Sequence, residues 1–220
     1  MEASLYYLLK FGEESNIKKL YEKGEIYMNT VQAFADLEKK EVGDKFERTV
    51  EIKNFKEGNL KLTSVDSGET HNFHFKNLQY KKDFQGEMGN IYSTYSISDL
   101  LLKRKKLHRV DKRMLLFGSH CLIINDVCKF FLLIENELKR LGIGYVHNLV
   151  RYHDYKKNNH SVSYFHKSHI YSYQHEHRFV VYNKTGLPLI LNVGPLSEIS
   201  EIYPSEDIIK YLTFENNYCP

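Results

Sequence analysis

The sequence predicts an α+β fold, in which a few helices pack on a mostly antiparallel sheet. Three observations support this prediction. Apolar residues recur at helical spacing in two segments, 15–24 and 125–142, and each segment ends at a glycine. Apolar and polar residues alternate with a period of two over 48–80, as they do along strands. Short glycine-containing turns interrupt this second pattern, which is typical of an antiparallel meander.

The first fifty residues alternate strand and helix signals. Side-chain oxygens that precede a helix can accept from its free backbone N–H groups. Gly24 can end the first helix in a left-handed conformation, and Gly43-Asp44 breaks the second. The predicted elements are a strand over 5–11, a helix capped by Ser15 or Asn16, a strand over 25–29, and a helix capped by Thr30.

The meander over 48–80 is predicted to turn at Glu57-Gly58-Asn59 and again at Asp66-Ser67-Gly68. Farther along, Asn125 is the predicted cap of the clearest helix, 127–141, whose apolar residues form one stripe suited to a core. The remaining predicted elements are strands over 91–97, 120–124, 144–151, 177–182, 187–193 and 199–203, a basic segment capped by Ser98-Asp99, and a short helix after Pro204-Ser205.

Composition limits the class of protein. The 220 residues contain no repeat and no linker, so a single domain over 1–220 is predicted. Three cysteines without a CxxC pair indicate a reduced, cytoplasmic protein rather than a disulfide framework. No secretory signal and no apolar run of membrane-spanning length is visible, so no membrane partner is expected. A net charge of +3 permits a polyanionic partner without requiring one.

The segment 171–182 is the most informative part of the chain. It begins with polar residues and ends in strand-forming ones. If it is a strand throughout, Gln174, Glu176 and Arg178 share one face, because side chains two apart point the same way. A glutamate beside an amide is a plausible reactive pair, since one can stabilise a cation while the other orients a partner. The competing interpretation is an ordinary ion pair on a solvated strand.

Two earlier segments complete a recognisable order. The first strand carries a basic residue, Lys10, and is followed by a helix and Gly24-Glu25-Ile26-Tyr27-Met28-Asn29. The middle strand carries Ser93-Thr94-Tyr95-Ser96, and the late segment carries Tyr171-Ser172-Tyr173-Gln174-His175-Glu176-His177-Arg178. This order resembles the ADP-ribosyltransferase-like superfamily, in the branch that includes the clostridial Rho-modifying exoenzymes. It is closer still to a poorly characterised family of small bacterial cytosolic proteins that end in Tyr-x-x-Glu-x-Glu-x-Arg.

The resemblance implies a split antiparallel sheet and cleavage of the nicotinamide–ribose bond of NAD, with transfer of ADP-ribose to a macromolecule. Departure of nicotinamide leaves an oxocarbenium-like ribose, as in glycoside cleavage. Glu176 would face that cation, and Gln174 would orient the incoming nucleophile. The residues expected to bind the cofactor are Lys10, Asn29, Asp44, Ser93 and Thr94. The resemblance also implies an intracellular toxin or anti-phage effector, which would need a neutralising protein partner.

Three features depart from the superfamily pattern. Tyr95 stands where a serine is frequent, and Lys10 stands where an arginine or histidine is usual. A lysine is a point charge without the bidentate fork of arginine, so its grip on a phosphate is less directional. Arg48 follows Asp44-x-x-Glu47, where a small residue would fit the turn more easily.

Two other sets of residues suggest different functions. A dense basic run, 103–113, and an aromatic-basic loop, 151–157, suit single-stranded nucleic acid, which makes RNA or DNA the slightly favoured acceptor over protein. The same residues would serve a non-catalytic nucleic-acid-binding module, in which Glu176 is structural. Seven histidines fall between His147 and His177. A metal-dependent nuclease built on His175 and His177 is the third alternative, although the spacing is not that of a zinc site, so no metal is expected.

Overall fold

A computed structural model of the chain describes residues 3–36, 44, 46–86, 89–103 and 107–215. The strands are β1 (Leu5–Gly12), β2 (Glu25–Thr30), β3 (Thr49–Thr63), β4 (Thr70–Asp83), β5 (Asn90–Ser98), β6 (Leu107–Arg109), β7 (His120–Ile124), β8 (Tyr145–Leu149), β9 (Arg151–His153), β10 (His160–Ser161), β11 (His166–Ser168), β12 (Glu176–Val181), β13 (Leu189–Asn192), β14 (Ser200–Pro204) and β15 (Thr213–Glu215). The α-helices are α1 (Glu14–Lys23), α2 (Val31–Asp36), α3 (Asp99–Leu102), α4 (Val127–Arg140) and α5 (Ser205–Tyr211). Two 3-10 helices cover Lys112–Phe117 and His169–Gln174.

The predicted α+β class with mostly antiparallel sheet is confirmed. The largest sheet has the order β13-β2-β5-β1-β7-β14, and β12 joins β5 on its other side and carries β8. All pairs within this sheet are antiparallel. The small β9–β11 pair is parallel. β5 is therefore the strand on which the main sheet is organised.

The main sheet divides along one edge of β5. On that edge, β2 pairs with Asn90 and Ile91, whereas β1 pairs from Tyr95 to Ser98. Between these two contacts, residues 92–94 of β5 have no strand partner on that edge within the described chain. The opposite edge pairs with β12 from Asn90 to Tyr95. Strands β1 and β2 therefore pair with different parts of the same edge of β5. We call the gap between them, beside residues 92–94, the split.

Alternation along the strands gives the sheet two apolar faces. One face packs on α1 and α4 through a cluster that includes Leu8, Tyr92, Phe130 and Phe179. The other face buries Leu9, Tyr95 and Ile97, together with residues from the 3-10 helices and α5. Each face is buried, so the register of β5 determines which side chains reach which side of the sheet.

Strands β3 and β4 form a long hairpin whose turn corrects one sequence prediction. The register runs without interruption from Glu51↔Lys82 to Thr63↔Thr70, so the chain does not turn at Glu57-Gly58-Asn59. Only the turn at Asp66-Ser67-Gly68 is confirmed. Gly58 instead lies within the strand beneath Phe75, where an added Cβ would approach the ring to 2.7 Å. The glycine therefore accommodates a cross-strand aromatic ring, which local turn signals cannot distinguish from a bend.

The predicted helix caps are confirmed in part. Thr30 Oγ1 accepts from the backbone N–H of Ala33, and Ser98 Oγ accepts from that of Leu101. The cap of α4 is Asp126, whose carboxylate accepts from Lys129, so the prediction of Asn125 was wrong by one residue. α1 begins one turn earlier than predicted, after Glu13, and its N-terminus has no side-chain cap from Ser15 or Asn16.

We expect Gly24 to tolerate substitution much less well than Gly142, although both end a helix in the left-handed region. Their φ angles are +64° and +67°. An added Cβ at Gly24 would lie 2.0 Å from the carbonyl oxygen of Gly194, whereas at Gly142 nothing lies within 4 Å. Gly142→Ala should cost about 1–2 kcal/mol for conformational strain alone, and Gly24→Ala about 2–3 kcal/mol more because main chain must move. Urea unfolding of the two variants measures the difference, and equal losses would contradict it.

Candidate functional site

Glu176 is the first residue of β12, but Gln174 does not precede it on the strand. Gln174 is the last residue of the 3-10 helix His169–Gln174, and His175 between them has a left-handed φ of 38°. The prediction that both lie on one face of a continuous strand was therefore wrong. His175 turns the chain sharply instead, and its carbonyl oxygen accepts from both the backbone N–H and the hydroxyl of Ser96.

The two side chains nevertheless converge, because both bind the same ammonium group. Lys167 Nζ donates to Gln174 Oε1 at 2.7 Å and to Glu176 Oε1 at 2.6 Å. Lys167 lies on β11, in register with Tyr152 on β9. The hydroxyl of Tyr152 accepts from the backbone N–H of Glu176 at 2.9 Å. The small parallel β9–β11 ribbon thus holds the start of β12 through two adjacent side chains.

A second carboxylate extends this group into a network of four charges. Arg178 Nε donates to Glu176 Oε2 at 2.6 Å. Its two terminal nitrogens donate to Glu47, with Nη1 at 2.9 Å from Oε2 and Nη2 at 2.7 Å from Oε1. Lys167 Nζ lies 3.8 Å from Glu47 Oε1. The side chains of Glu47, Lys167, Glu176 and Arg178 are at most 8% exposed, and we call these four residues the charge network.

The charge network keeps Glu176 ionised. Burial by itself raises the pKa of the Glu176 carboxyl, but the charges and hydrogen bonds of Arg178 and Lys167 lower that pKa far below its ordinary value of 4.5. A carboxylate with a lowered pKa contributes stability that is present above its ordinary pKa and is lost as the pH falls below it. The geometry therefore holds a fixed negative charge near the middle of the main sheet at neutral pH.

Asp44 supports the charge network without touching Glu176. Its carboxylate accepts from the backbone N–H groups of Ser168, at 2.8 Å, and Phe46, at 3.0 Å. These bonds connect the turn that carries Glu47 to the strand that carries Lys167. Burial raises the pKa of Asp44, while these backbone bonds oppose the rise. Asp44 was predicted as a cofactor-binding residue, and its described contacts are those of a positioning residue.

Strand β5 carries Ser93 on the same face of the main sheet as Glu176, but it carries Thr94 on the other face. Cross-strand partners share a face, and the register pairs Glu176 with Tyr95, Arg178 with Ser93, and His177 with Thr94. Thr94 therefore lies on the opposite face, where its hydroxyl is 3.5 Å from the carbonyl oxygen of His177.

Lys10 occupies the split in the main sheet. Its ammonium donates to the carbonyl oxygen of Ser93 at 2.8 Å and lies 4.4 Å from the centroid of the Tyr92 ring. Burial lowers the pKa of Lys10 to about 8, although the charge of Glu176 opposes the shift. Alternation places Lys10 on the Leu8 face, opposite to Glu176. The two residues are within electrostatic reach of each other but do not line one surface.

Asn29 lies at the other end of the split. It pairs with Ile91 of β5, two residues from Ser93, and so shares the face of Glu176. Its side-chain oxygen accepts from the backbone N–H of Thr30 at 2.9 Å.

Arg48 donates to Gln32 Oε1 and, at 3.0 Å, to the carbonyl of Phe84. None of its described contacts involves Glu176.

Sequence reasoning missed Lys167, Tyr152 and the role of Glu47. The Asp44-x-x-Glu47 pair was a usable signal, because two acidic residues three apart, after a glycine, are unusual at the start of a strand. Lys167 carries no such signal, since only the parallel pairing of β11 with β9 brings it to Glu176. Arg178 was considered only as half of a solvated ion pair, whereas its side chain is 2% exposed.

The histidine-rich segment does not form a metal centre in the described part of the chain, where no three histidine, cysteine or acidic side chains are grouped to hold an ion. His175 packs on the rings of Tyr95 and His108. His177 stacks on Phe131 and is hydrogen-bonded to His147 at 3.1 Å. A nuclease site built on His175 and His177 would need both on one strand, but His175 precedes β12.

The predicted basic run is only partly described, because residues 104–106 lie outside the described ranges. Lys103 pairs with Asp99 at 2.7 Å. Arg113 pairs with Asp111 at 2.7 Å, and its guanidinium stacks 3.7 Å from the centroid of the Tyr173 ring. The described cations of this run are thus partly neutralised by neighbouring carboxylates.

The chain matches no protein-family model, no curated protein and no solved structure. Among the described helices, none combines the length and the apolar character needed to cross a bilayer. The function must therefore be argued from the geometry of the site.

We expect removal of one charge from the charge network to be far more costly than the same change at the surface. Glu47→Gln leaves Arg178 buried beside a neutral amide and should destabilise the fold by about 3–5 kcal/mol. Glu14→Gln is the matched control, because Glu14 pairs with Lys18 at 2.6 Å with both side chains about half exposed, and it should leave the urea midpoint close to that of the wild type. Equal urea midpoints for the two variants would refute the structural importance of the network.

We also expect Lys10 to titrate well below the ordinary pKa of a lysine side chain. Its folded pKa of about 8 lies below the ordinary 10.5, so the unfolded chain binds more protons between these values and stability rises with pH in that window. Lysine side-chain NMR should reveal one resonance that titrates near pH 8 and disappears in Lys10→Met. A spectrum in which every lysine titrates at its ordinary pKa would show that the split is open to water.

Proposed function

We propose that the chain is an NAD-dependent mono-ADP-ribosyltransferase that acts on an intracellular macromolecule, with nucleic acid favoured over protein. The observation that carries the proposal is the convergence of Gln174 Oε1 and Glu176 Oε1 on one cation, the ammonium of Lys167, at 2.7 and 2.6 Å. Two fixed acceptors aimed at one positive charge are what a reaction with a cationic transition state requires.

The proposed reaction breaks the bond between ribose C1′ and the nicotinamide nitrogen of NAD. The electron pair of that bond moves to the nicotinamide ring and neutralises its positive charge, which leaves an oxocarbenium-like ribose. A lone pair of the acceptor then bonds to C1′, and the acceptor releases its proton to solvent. Glu176 stabilises the ribose cation by its charge, and a preorganised charge in a site of low dielectric constant contributes several kcal/mol.

In this proposal, when no NAD is bound, the ammonium of Lys167 occupies the position that the positive charge of the substrate would take. That ammonium contacts both the carboxylate that would face the ribose cation and the amide that would orient the acceptor, so NAD and its acceptor can engage them only if Lys167 moves aside. The exposed phosphates of the cofactor offer Lys167 an alternative partner of opposite charge. Arg178 stays in place, because its bidentate contact with Glu47 anchors it independently of Glu176.

The cofactor is proposed to lie along the split of the main sheet. Ser93 shares the face of Glu176 and would contact the nicotinamide ribose, while Asn29 and Lys10 flank Ser93 at the split. Lys10 would supply positive charge for the pyrophosphate. Thr94 lies on the reverse face of β5, so a direct contact of Thr94 with the cofactor is not part of this proposal. A chain with this activity would act as a bacterial toxin or anti-phage effector and would need a neutralising partner.

A non-catalytic module is the second candidate, and one observation favours it. Both oxygens of Glu176 are already paired, one with Lys167 and one with Arg178. A carboxylate that pairs with two cations is equally suited to a structural role, in which it holds together β12, β11 and the turn of Glu47. The two candidates differ in whether nicotinamide is released from NAD.

We predict that Glu176→Gln abolishes labelling of cell extract from NAD that carries its label in the adenylate part. Loss of the one negative charge that faces the ribose cation should lower the rate by at least about 10²–10³-fold. Nuclease and protease digestion of the product then identify the acceptor. Glu137→Gln, in a helical pair with Arg140 on α4, is the matched control and should retain full activity.

Gln174→Ala is a second variant that keeps the test informative if Glu176→Gln does not fold. Because Gln174 is proposed to orient the acceptor, this change should reduce transfer more than it reduces nicotinamide release. Equal loss of both would assign Gln174 a merely structural role. Absence of nicotinamide release by the folded wild-type chain would favour the non-catalytic module.

A further inference from the structure

A polar groove lies at the base of the β3–β4 hairpin, and its lining includes none of the four residues of the charge network. It occupies about 800 Å³ between the hairpin and the loop 156–159, and we call it the hairpin groove. The residues that line it from the hairpin are Asn54, Phe55, Lys56, Asn77, Leu78 and Gln79. Neither the proposed transfer chemistry nor the packing of the main sheet uses this surface.

The floor of the hairpin groove is rigidly built. The amide of Asn54 donates to the carbonyl oxygens of Tyr155 and Asn158 at 3.0 and 2.7 Å. The backbone N–H of Asn54 donates to Asn159 Oδ1 at 2.7 Å, and Gln79 Nε2 donates to Asn54 Oδ1 at 2.8 Å. The three bonds between Asn54 and the loop join residues 101 to 105 positions apart in sequence. The shape of the groove is therefore set before any ligand arrives, which lowers the entropic cost of binding.

The rim of the hairpin groove carries positive charge and an exposed ring. Lys56 on the hairpin and Lys156 on the loop are both exposed, and no carboxylate in the described chain pairs with either of them. The neighbouring Lys157 differs, because it pairs with Asp154 at 3.1 Å. Phe55, next to Lys56 on β3, also lines the groove and is 43% exposed. Asn77, at the opposite edge, has a left-handed φ of 60° and an exposed side chain.

We propose that the hairpin groove binds single-stranded nucleic acid. Unpaired lysines on two sides of a groove attract a phosphate backbone, and a partly exposed aromatic ring in the same lining offers a face on which a base can stack. The amide of Asn77 can bond to the edge of an unstacked base. A duplex presents no unstacked bases to such a ring, so single strands fit the surface better.

This inference does not depend on NAD cleavage. If the transfer reaction exists, the groove selects its acceptor, and if it does not, the groove carries the function of a binding module. A variant of the groove should therefore lose nucleic-acid binding while keeping nicotinamide release, and Glu176→Gln should do the reverse. Failure of one proposal is thus distinguishable from failure of the other.

The test is fluorescence anisotropy of the full chain with a labelled oligouridylate in about 50 mM salt. The double variant Lys56→Glu/Lys156→Glu should weaken binding at least about tenfold and reduce the slope of log affinity against log salt by about two. The matched control is Lys23→Glu/Lys184→Glu, which makes the same charge change at two exposed lysines outside the groove. It should bind within about twofold of wild type.

Phe55→Ala separates stacking from charge. It should weaken binding about fivefold or more, with an unchanged salt slope, because it removes a base-stacking surface and no cation. Phe73→Ala removes an equally exposed ring nearer the tip of the same hairpin and should have no effect. The proposal is overturned if both double variants bind alike, if Phe55→Ala binds as wild type does, or if a duplex of the same length binds more tightly than the single strand.

Discussion

The structure depends on the pairing of two buried carboxylates with two buried cations. Removing four charges from water is costly, and only near-ideal geometry offsets that cost. Here Arg178 bridges Glu47 and Glu176, and Lys167 closes the group from the other side, with hydrogen bonds of 2.6 to 2.9 Å at each direct contact. Glu47 lies 131 residues before Arg178 in sequence, so the network fixes how β11, β12 and the turn before β3 meet.

The main sheet has a gap in its strand pairing close to the charge network. β5 pairs fully with β12 on one edge but shares its other edge between β1 and β2, and Lys10 fills the place where neither strand pairs. A lysine whose pKa falls to about 8 marks a poorly hydrated position. Glu176 and Lys10 thus lie on opposite faces of the main sheet, on the two strands that flank β5. The proposed cofactor would have to run through the split rather than across one flat surface.

Local patterns predicted the elements that local forces determine. The strand over 120–124 and the long helix after Asp126 follow from apolar periodicity and capping, and both lie within one residue of the predicted bounds. The failures arose where distant contacts decide the outcome. Gly58 looked like a turn because the ring of Phe75, which occupies the space above it, is distant in sequence. Gln174 looked like a strand residue because nothing local indicates that His175 adopts a left-handed conformation. Lys167 gave no signal at all, since its position depends on a parallel pairing of two three-residue strands.

We propose that, at rest, the ammonium of Lys167 occupies the position beside Gln174 and Glu176 that the substrate takes during the reaction. A crystal structure of the chain with a non-hydrolysable NAD analogue tests this most directly. The account predicts that the nicotinamide ribose lies between Ser93 and Glu176, with C1′ about 3–3.5 Å from the carboxylate, and that the Lys167 ammonium has left Glu176 for the pyrophosphate. An analogue bound elsewhere, with Lys167 still bonded to both acceptors, would contradict it.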